Sequence, residues 1–365
     1  MRSFPPVSYL AGHLPPSRLS RYFLACYLLI ILLLSFYPFS GWHYNGEPVL
    51  AFYRYPLPYY FTFFDNFANV LAYVPLGLAL VLSWRRRWYA WPLAVLSGTG
   101  LSAAVEFAQQ FLPDRVASNL DILANGCGAV IGATLGLVVG SRRWQRRWLV
   151  LRHHFLAPGA LGEWSLAWLG LWYVTQLDPS VPFLGVVVEA VALPQPFISP
   201  LSDARLFLDL LESSGVALHL IGVALFVSIL VRYQRQVVPA MTLALGIGLL
   251  IKLFFAGVML KRAEFFAWIN LNVLIGAGGG IVVLAACARL NRRLRALLGA
   301  LASAAALGVS WAWPLAAQLS ATLALFRWQY GHLQHFSGMA ALIGDLWPYG
   351  AIVLMVAVAA TRSEA

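Results

Sequence analysis

Three consecutive apolar stretches carry polar side chains at helical spacing. Asp65 and Asn69 stand four residues apart, and Glu106, Gln109 and Gln110 fall at i, i+3 and i+4. Asp121 and Asn125 are again four apart, and Gly128, Gly132 and Gly136 continue their face. Residues so spaced project from one side of an α-helix. Arg115 lies in the short connection between the second and third of these stretches. Carboxylates, amides and one guanidinium suit three kinds of chemistry. They can bind, with Arg115 taking an anionic group in a bidentate fork while the amides orient it. They can line a transport path. They can catalyse, with Glu106 or Asp121 as general base and Arg115 on a phosphate. For catalysis the set is incomplete. None of the seven histidines and no Ser/Lys pair stands in the cluster, so no residue is assigned as catalytic.

Lipid must surround the elements that position these groups. The chain has 365 residues, 61% of them hydrophobic and 11% charged, with a mean hydropathy of +0.74. Soluble domains are nearer 45–50% apolar and about 25% charged. The excess excludes a water-soluble enzyme and a disordered chain. A membrane span needs about 20 mostly apolar residues. Ten segments qualify: 20–39, 64–83, 91–112, 120–140, 163–180, 214–231, 237–259, 265–288, 296–319 and 339–360. The expected fold is an all-α polytopic membrane protein of about ten transmembrane helices. Its first segment reads as a retained anchor, because Phe36-Tyr37-Pro38-Phe39 follows in place of a small-residue cleavage pattern.

The net charge of +11 is not a nucleic-acid surface. The arginines crowd into alternate connections: Arg85–Arg87, then Arg142, Arg143, Arg146, Arg147 and Arg152, then Arg232 and Arg235, then Arg289, Arg292, Arg293 and Arg295. Most acidic residues fall on the opposite side. The positive-inside rule then places both termini in the cytoplasm, in a cell (inner or plasma) membrane. The Arg-rich connections serve as topology signals and lie where anionic headgroups are found. In this orientation Asp65, Glu106 and Asn125 share one depth. Glu106 lies roughly 9 Å beneath the outer surface, six residues from the segment's exit. Ionisable groups inside spans are costly and face a bundle interior or a watered cavity. Hydrogen-bonded groups that merely hold helices together, at about 0.6 kcal/mol per bond, are the plainer alternative. Seven or more polar groups at one depth exceed what packing requires.

The run from Glu106 through Gln109 and Arg115 to Asp121, Asn125, Gly128 and Gly132 resembles the VanZ-like family, whose pattern reads roughly E-x-x-Q-x(5)-R-x(5)-D-x(3)-N-x(2)-G-x(3)-G. Every element is in register here. Asp65, Asn69 and Pro75-Leu76-Gly77 resemble the family's earlier motif. Asp114 departs from the glycine that often precedes the arginine, which bears on the turn there. The resemblance covers about residues 20–140. It implies an envelope-facing membrane protein of the teicoplanin-resistance, antibiotic-resistance type. It does not imply a reaction.

The expected domains are a VanZ-like four-helix region over 1–150, a second four-helix region over 151–295 and a two-helix region over 296–365. The second reads as a candidate degenerate repeat of the first at a constant offset of 147 residues, pairing Asp65 with Glu212, Arg115 with Arg262, Asn125 with Asn272 and Gly132 with Gly279. Lys252, within one position of the counterpart of Glu106, wants a carboxylate, and Glu106 is the suggested partner. Residues 203–212 read as a short interfacial or re-entrant helix. His332 and His335 have metal-compatible spacing, but no carboxylate or cysteine stands nearby, so no metal or other cofactor is expected. The cysteines Cys26, Cys127 and Cys287 read as buried hydrophobes.

The expected function is a non-enzymatic envelope protein. It holds a lipid-linked or amphipathic ligand, of the lipoglycopeptide or cell-wall-precursor type, through Asp65, Asn69, Glu106, Gln109, Arg115, Asp121 and Asn125. Pro75, Gly77, Gly128, Gly132 and Lys252 are structural. A secondary transporter or lipid flippase is the first alternative, and a membrane-embedded hydrolase or transferase acting on a lipid phosphate the second. The expected partners are membrane lipids, with no nucleic acid; no oligomeric state is assigned.

Overall fold

The computed structural model describes residues 17–44, 46, 48–57, 63–84, 88–113, 115–179, 183–184, 199–266, 269–313 and 331–361. The side chains of 63, 64, 264 and 331–335 lie outside that description, and with them the His332/His335 pair. So do Asp114, the Arg85–Arg87 run and most of the proline-rich stretch after 180.

Among the described residues the chain forms eleven α-helices and no strand. They are α1 (Leu19–Phe36), α2 (Phe63–Ser83), α3 (Ala90–Gln109), α4 (Asn119–Val139), α5 (Arg142–Phe155), α6 (Ala160–Thr175), α7 (Ala204–Leu230), α8 (Val237–Met259), α9 (Leu271–Cys287), α10 (Arg292–Ala312) and α11 (Gly331–Ala360). All but α5 coincide with the ten predicted segments. Among the described residues, seven helices are long and apolar enough to cross a membrane. The rest fall short for visible reasons. α6 has 16 residues and α9 has 17, about 24–26 Å of helix against a hydrocarbon core of about 30 Å. α3 is 20 residues long but carries Ser97, Thr99, Ser102, Glu106 and Gln109.

The distribution of side chains is that of a protein solvated by lipid. Leu96, Leu250 and Phe254 are 67, 68 and 66% exposed, whereas Glu106 and Lys252 are 4 and 1% exposed. Large apolar groups face outward and ionisable groups inward, as hydrocarbon solvent demands. The chain is a polytopic α-helical membrane protein.

It divides into two compact units, Met1–His153 and His154–Ala365, and residues 296–365 fall in the second. In the first unit α2 and α4 run parallel, with α3 antiparallel against both. Small residues make this possible. The buried face of α3 repeats every four residues as Ala90, Ala94, Gly98, Ser102 and Glu106, and that of α4 includes Gly128, Gly132 and Gly136. A methyl group on Gly128 would stand 2.2 Å from the Val70 carbonyl oxygen, and one on Gly132 would stand 2.0 Å from that of Val74. From the other side, Gly77 would meet the Ala129 oxygen at 2.3 Å. The two backbones touch, which is how small-xxx-small faces hold helices where lipid offers no hydrophobic drive. Pro75 is accommodated inside α2, as spans tolerate when neighbouring helices enclose them.

In the second unit α7 is the central helix, packed by α8, α9, α10 and α6. Its start corrects an expectation. Residues 203–212 are not a separate interfacial or re-entrant piece but the opening turns of a continuous 27-residue helix. Asp203 caps it, its Oδ1 accepting from the amides of Arg205 at 2.9 Å and Leu206 at 3.2 Å. The carboxylates of these turns, Asp209 and Glu212, are met from the start of α9. Asn270 donates to Glu212 at 2.6 Å, and Asn272 donates to Asp209 at 2.8 Å and to Glu212 at 2.9 Å. α6 and α11 are joined by a reciprocal pair in which each indole of Trp168 and Trp347 donates to the other's carbonyl at 2.9 Å.

The parallel glycine-faced pair recurs here. Gly276 of α9 would meet the Ser213 oxygen at 2.3 Å if it bore a methyl group, and Gly280 would meet Leu220 at 3.0 Å. Gly279, the residue at the constant offset from Gly132, faces open space. The contact is made instead by its neighbour Gly280.

Candidate functional site

The polar residues of the first unit gather at one end of its bundle, where α1 and α3 finish and α2 and α4 begin. Each helix end there has orphan backbone groups to satisfy. The chain satisfies them with the residues singled out by spacing. Glu106, buried in the last turn of α3, accepts from the Ser118 amide at 2.8 Å. Ser118 is the N-cap of α4, its Oγ facing the Asp121 amide at 3.4 Å. A carboxylate at a helix N-terminus also meets the positive end of the macrodipole. Its charged neighbours are Asp121 and Arg115.

At the finish of α1 the orphan groups are carbonyls, and two donors reach them. Arg115 donates through Nη2 to the Leu34 oxygen at 2.6 Å, and Gln109 through Nε2 to the Ser35 oxygen at 3.0 Å. Between α3 and α4, Asn125 donates to Ser102 Oγ at 2.8 Å. The structure thus ties Glu106, Gln109, Arg115, Asp121 and Asn125 to one helix-end cluster. Gln110 turns back to its own helix, donating to the Phe107 oxygen at 2.7 Å. Asp65 and Asn69 are half-buried on the first turns of α2. The register that sets Val70 against Gly128 and Val74 against Gly132 carries Asn69 to the level of Cys127 and Asp65 to that of Leu123, the same end of the bundle.

The arrangement changes the meaning of Arg115. Read from spacing, its fork awaits an anion; in the fold, one arm of the fork holds the end of α1. Arg115→Ala should therefore loosen α1 from α3 and α4, costing about 2 kcal/mol, as for a charged hydrogen bond left unmade. Thermal unfolding of purified protein and protease access at residues 37–44 read this out. A variant as stable as the wild type would show that the guanidinium does not hold α1.

Two members of the cluster went unnoticed in the sequence. Ser102 lies one turn before Glu106, and Tyr73 one turn after Asn69, so the same four-residue spacing points to both. Tyr73 and Ser102 are 4 and 0% exposed, and the Tyr73 hydroxyl faces Ser102 and Glu106. The Leu34 and Ser35 carbonyls had no sequence signal, because backbone groups carry none. Asn125 Oδ1 is enclosed with no hydrogen-bond partner among the described residues. Among the described residues no group of three or more His, Cys, Asp or Glu is placed to hold a metal.

The fold and this helix-end cluster define a class: a polytopic membrane protein whose first unit is a small-residue four-helix bundle with polar side chains gathered at one end. A family model described as VanZ/LLP1 matches residues 22–140, from the first turn of α1 to Gly140, the C-cap of α4, so the matched segment is this bundle. No curated protein and no solved structure matches the chain.

Proposed function

We propose that the first unit of this VanZ-like membrane protein holds a lipid-linked or amphipathic cell-envelope ligand, its polar head at the helix-end cluster and its apolar part along the lipid-facing helices. The observation that carries this reading is the hydrogen-bonding capacity left over once the helix ends are tied. Asn125 Oδ1 offers an acceptor, enclosed and without a protein partner among the described residues, and the Tyr73 hydroxyl, beside Ser102, lies in the same enclosure. An orphaned buried polar group costs about 1–3 kcal/mol, a cost that a bound head group removes. Asp65, Glu106 and Asp121 outnumber Arg115 at this end, which favours a head rich in donors or carrying an amine. An envelope-side cluster, with both termini in the cytoplasm of a cell-membrane protein, follows from the arginine asymmetry. A lipoglycopeptide of the teicoplanin type and a lipid-linked wall precursor are the candidates that the family resemblance suggests.

Native mass spectrometry of protein extracted from its own membrane tests the reading. The wild type should retain a lipid-linked species, and Tyr73→Phe combined with Asn125→Ala should lower its retention by about tenfold, the factor for roughly 1.4 kcal/mol. Tyr73→Phe keeps the ring, so a folded variant is expected. Retention unchanged in a folded double variant would remove the proposal.

A further inference from the structure

The helix absent from the list of predicted spans, α5, is amphipathic in a way its position makes meaningful. Its 14 residues, Arg-Arg-Trp-Gln-Arg-Arg-Trp-Leu-Val-Leu-Arg-His-His-Phe, contain five arginines and no carboxylate. Trp144, Trp148, Leu151 and Phe155 fall at spacings of four, three and four, one face of a helix. Trp144, Leu151 and Phe155 are 46, 49 and 47% exposed. Arg142, Arg143, Arg146 and Arg147 are exposed as well, and the Arg147 guanidinium lies 5.1 Å from the Trp144 ring centroid, a cation–π arrangement.

The tether decides where this face can be. Only Gly140 and Ser141 separate the end of α4 from Arg142, and two residues reach at most about 7 Å. α4 is one of the helices that can cross a membrane, so α5 starts at the membrane surface. Its far end is tied down too. The Phe155 oxygen accepts from the Arg232 amide at 3.0 Å, and the His154 oxygen accepts from Gln236 Nε2 at 2.8 Å. The helix is thus held beside lipid with an exposed aromatic stripe and a purely basic charge set.

We propose that α5 is an interfacial helix that binds anionic phospholipid headgroups. Trp144, Trp148, Leu151 and Phe155 sit at the boundary of headgroup and acyl chain, where tryptophan is favoured. Arg142, Arg143, Arg146 and Arg147 bind lipid phosphates, to which guanidinium forks are matched. With no acidic residue on the helix, nothing in it competes for those forks. A zwitterionic surface gives the arginines no net charge to neutralise, so insertion of the stripe depends on anionic lipid.

The test uses the full chain with Cys127→Ser, leaving the two buried cysteines, and Leu151→Cys carrying an environment-sensitive fluorophore. The protein is placed in nanodiscs of phosphatidylcholine alone or mixed with phosphatidylglycerol. Phosphatidylglycerol should shift the emission to the blue and bring the probe within reach of lipid-borne quenchers. Separately, native mass spectrometry should show phosphatidylglycerol retained over phosphatidylcholine. Arg142→Gln, Arg143→Gln, Arg146→Gln and Arg147→Gln together should lower that preference by about tenfold or more, since each basic residue near an anionic surface contributes on the order of 1 kcal/mol. The four corresponding Arg→Lys changes should keep most of it and show that the helix still folds. Emission that ignores phosphatidylglycerol in the otherwise unaltered chain overturns the proposal, whether the probe is wet in both discs or buried in both. A preference unchanged in the glutamine variant overturns it as well.

Discussion

Gly132→Val is expected to prevent the first unit from folding. The Cβ alone would lie 2.0 Å from the Val74 carbonyl oxygen, 2.8 Å from its carbon and 3.0 Å from the Leu78 nitrogen. All three are backbone atoms of α2, which cannot swing aside as a side-chain tip can. Relief requires moving α2 away from α4. That opens the contacts at Gly128 and Gly77 and the contact of Gly136 with Val81, whose Cβ would meet a methyl group there at 2.9 Å. Ordinary overpacking costs about 1–3 kcal/mol. A clash shared by a whole helix face belongs in the rarer class above about 4 kcal/mol. The measurement is the yield and thermal midpoint of the full chain on size-exclusion chromatography in detergent. Gly100→Ala is the control. It lies on α3 with nothing within 4 Å of the added methyl group, and replacing a helical glycine by alanine is neutral or stabilising by up to about 1 kcal/mol. A Gly132→Val protein that unfolds where the wild type does would show that α2 and α4 do not meet in this register.

Lys252→Met is expected to be the most damaging single change in the second unit. Lys252 is 1% exposed inside α8, and its Nζ donates to the Asp178 carbonyl oxygen at 2.5 Å. Asp178 is itself fully buried, and its carboxylate is the charge that faces the ammonium. The pair is held in place from both sides. Tyr173 donates to the Ala244 oxygen at 3.1 Å, and Gly248 lets the Trp172 ring lie against α8, where a methyl group would stand 2.6 Å from it. Methionine matches the length of the lysine stem but leaves Asp178 buried beside an uncharged group. Breaking a buried pair in this way costs about 3–5 kcal/mol. Lys252→Met with Asp178→Asn should recover most of that loss, because no buried charge then remains. Stabilities of the wild type, both single variants and the double variant, measured by denaturant titration in mixed micelles, give the coupling. Additive losses would mean that the lysine serves only the backbone carbonyl. Because Lys252 finds its carboxylate within its own unit, and Glu106 its amide partner within the other, the pairing of Glu106 with Lys252 suggested by the repeat register is not required to satisfy either.

Much of this protein could be read from the order of its residues. The ten apolar stretches became helices because lipid leaves a backbone no other way to satisfy its hydrogen bonds. Four-residue spacing predicted correctly that Glu106, Asn125 and the glycine face would point inward, since a helix has one period and a membrane helix buries its small and polar face. The VanZ-like motif likewise needed only the linear pattern.

Other features required the tertiary structure. The arginine-rich stretch after α4 gave no span signal, because a helix lying at a surface is too polar for hydropathy to detect; its shape emerges from the faces it presents. Residues 203–212 read as a separate interfacial or re-entrant piece, and only the fold joins them to α7 with Asn270 and Asn272 beside Asp209 and Glu212. Lys252 announced a need for a carboxylate, but only folding brings Asp178 to it across 74 residues of sequence. Arg115 changes role most. Its type and position alone suited an anion site, and only the fold shows that its Nη2 also donates to the Leu34 carbonyl oxygen at the end of α1. Carbonyls are the same in every residue, so a sequence specifies which donors exist, and only the packed helices determine which backbone groups those donors must satisfy.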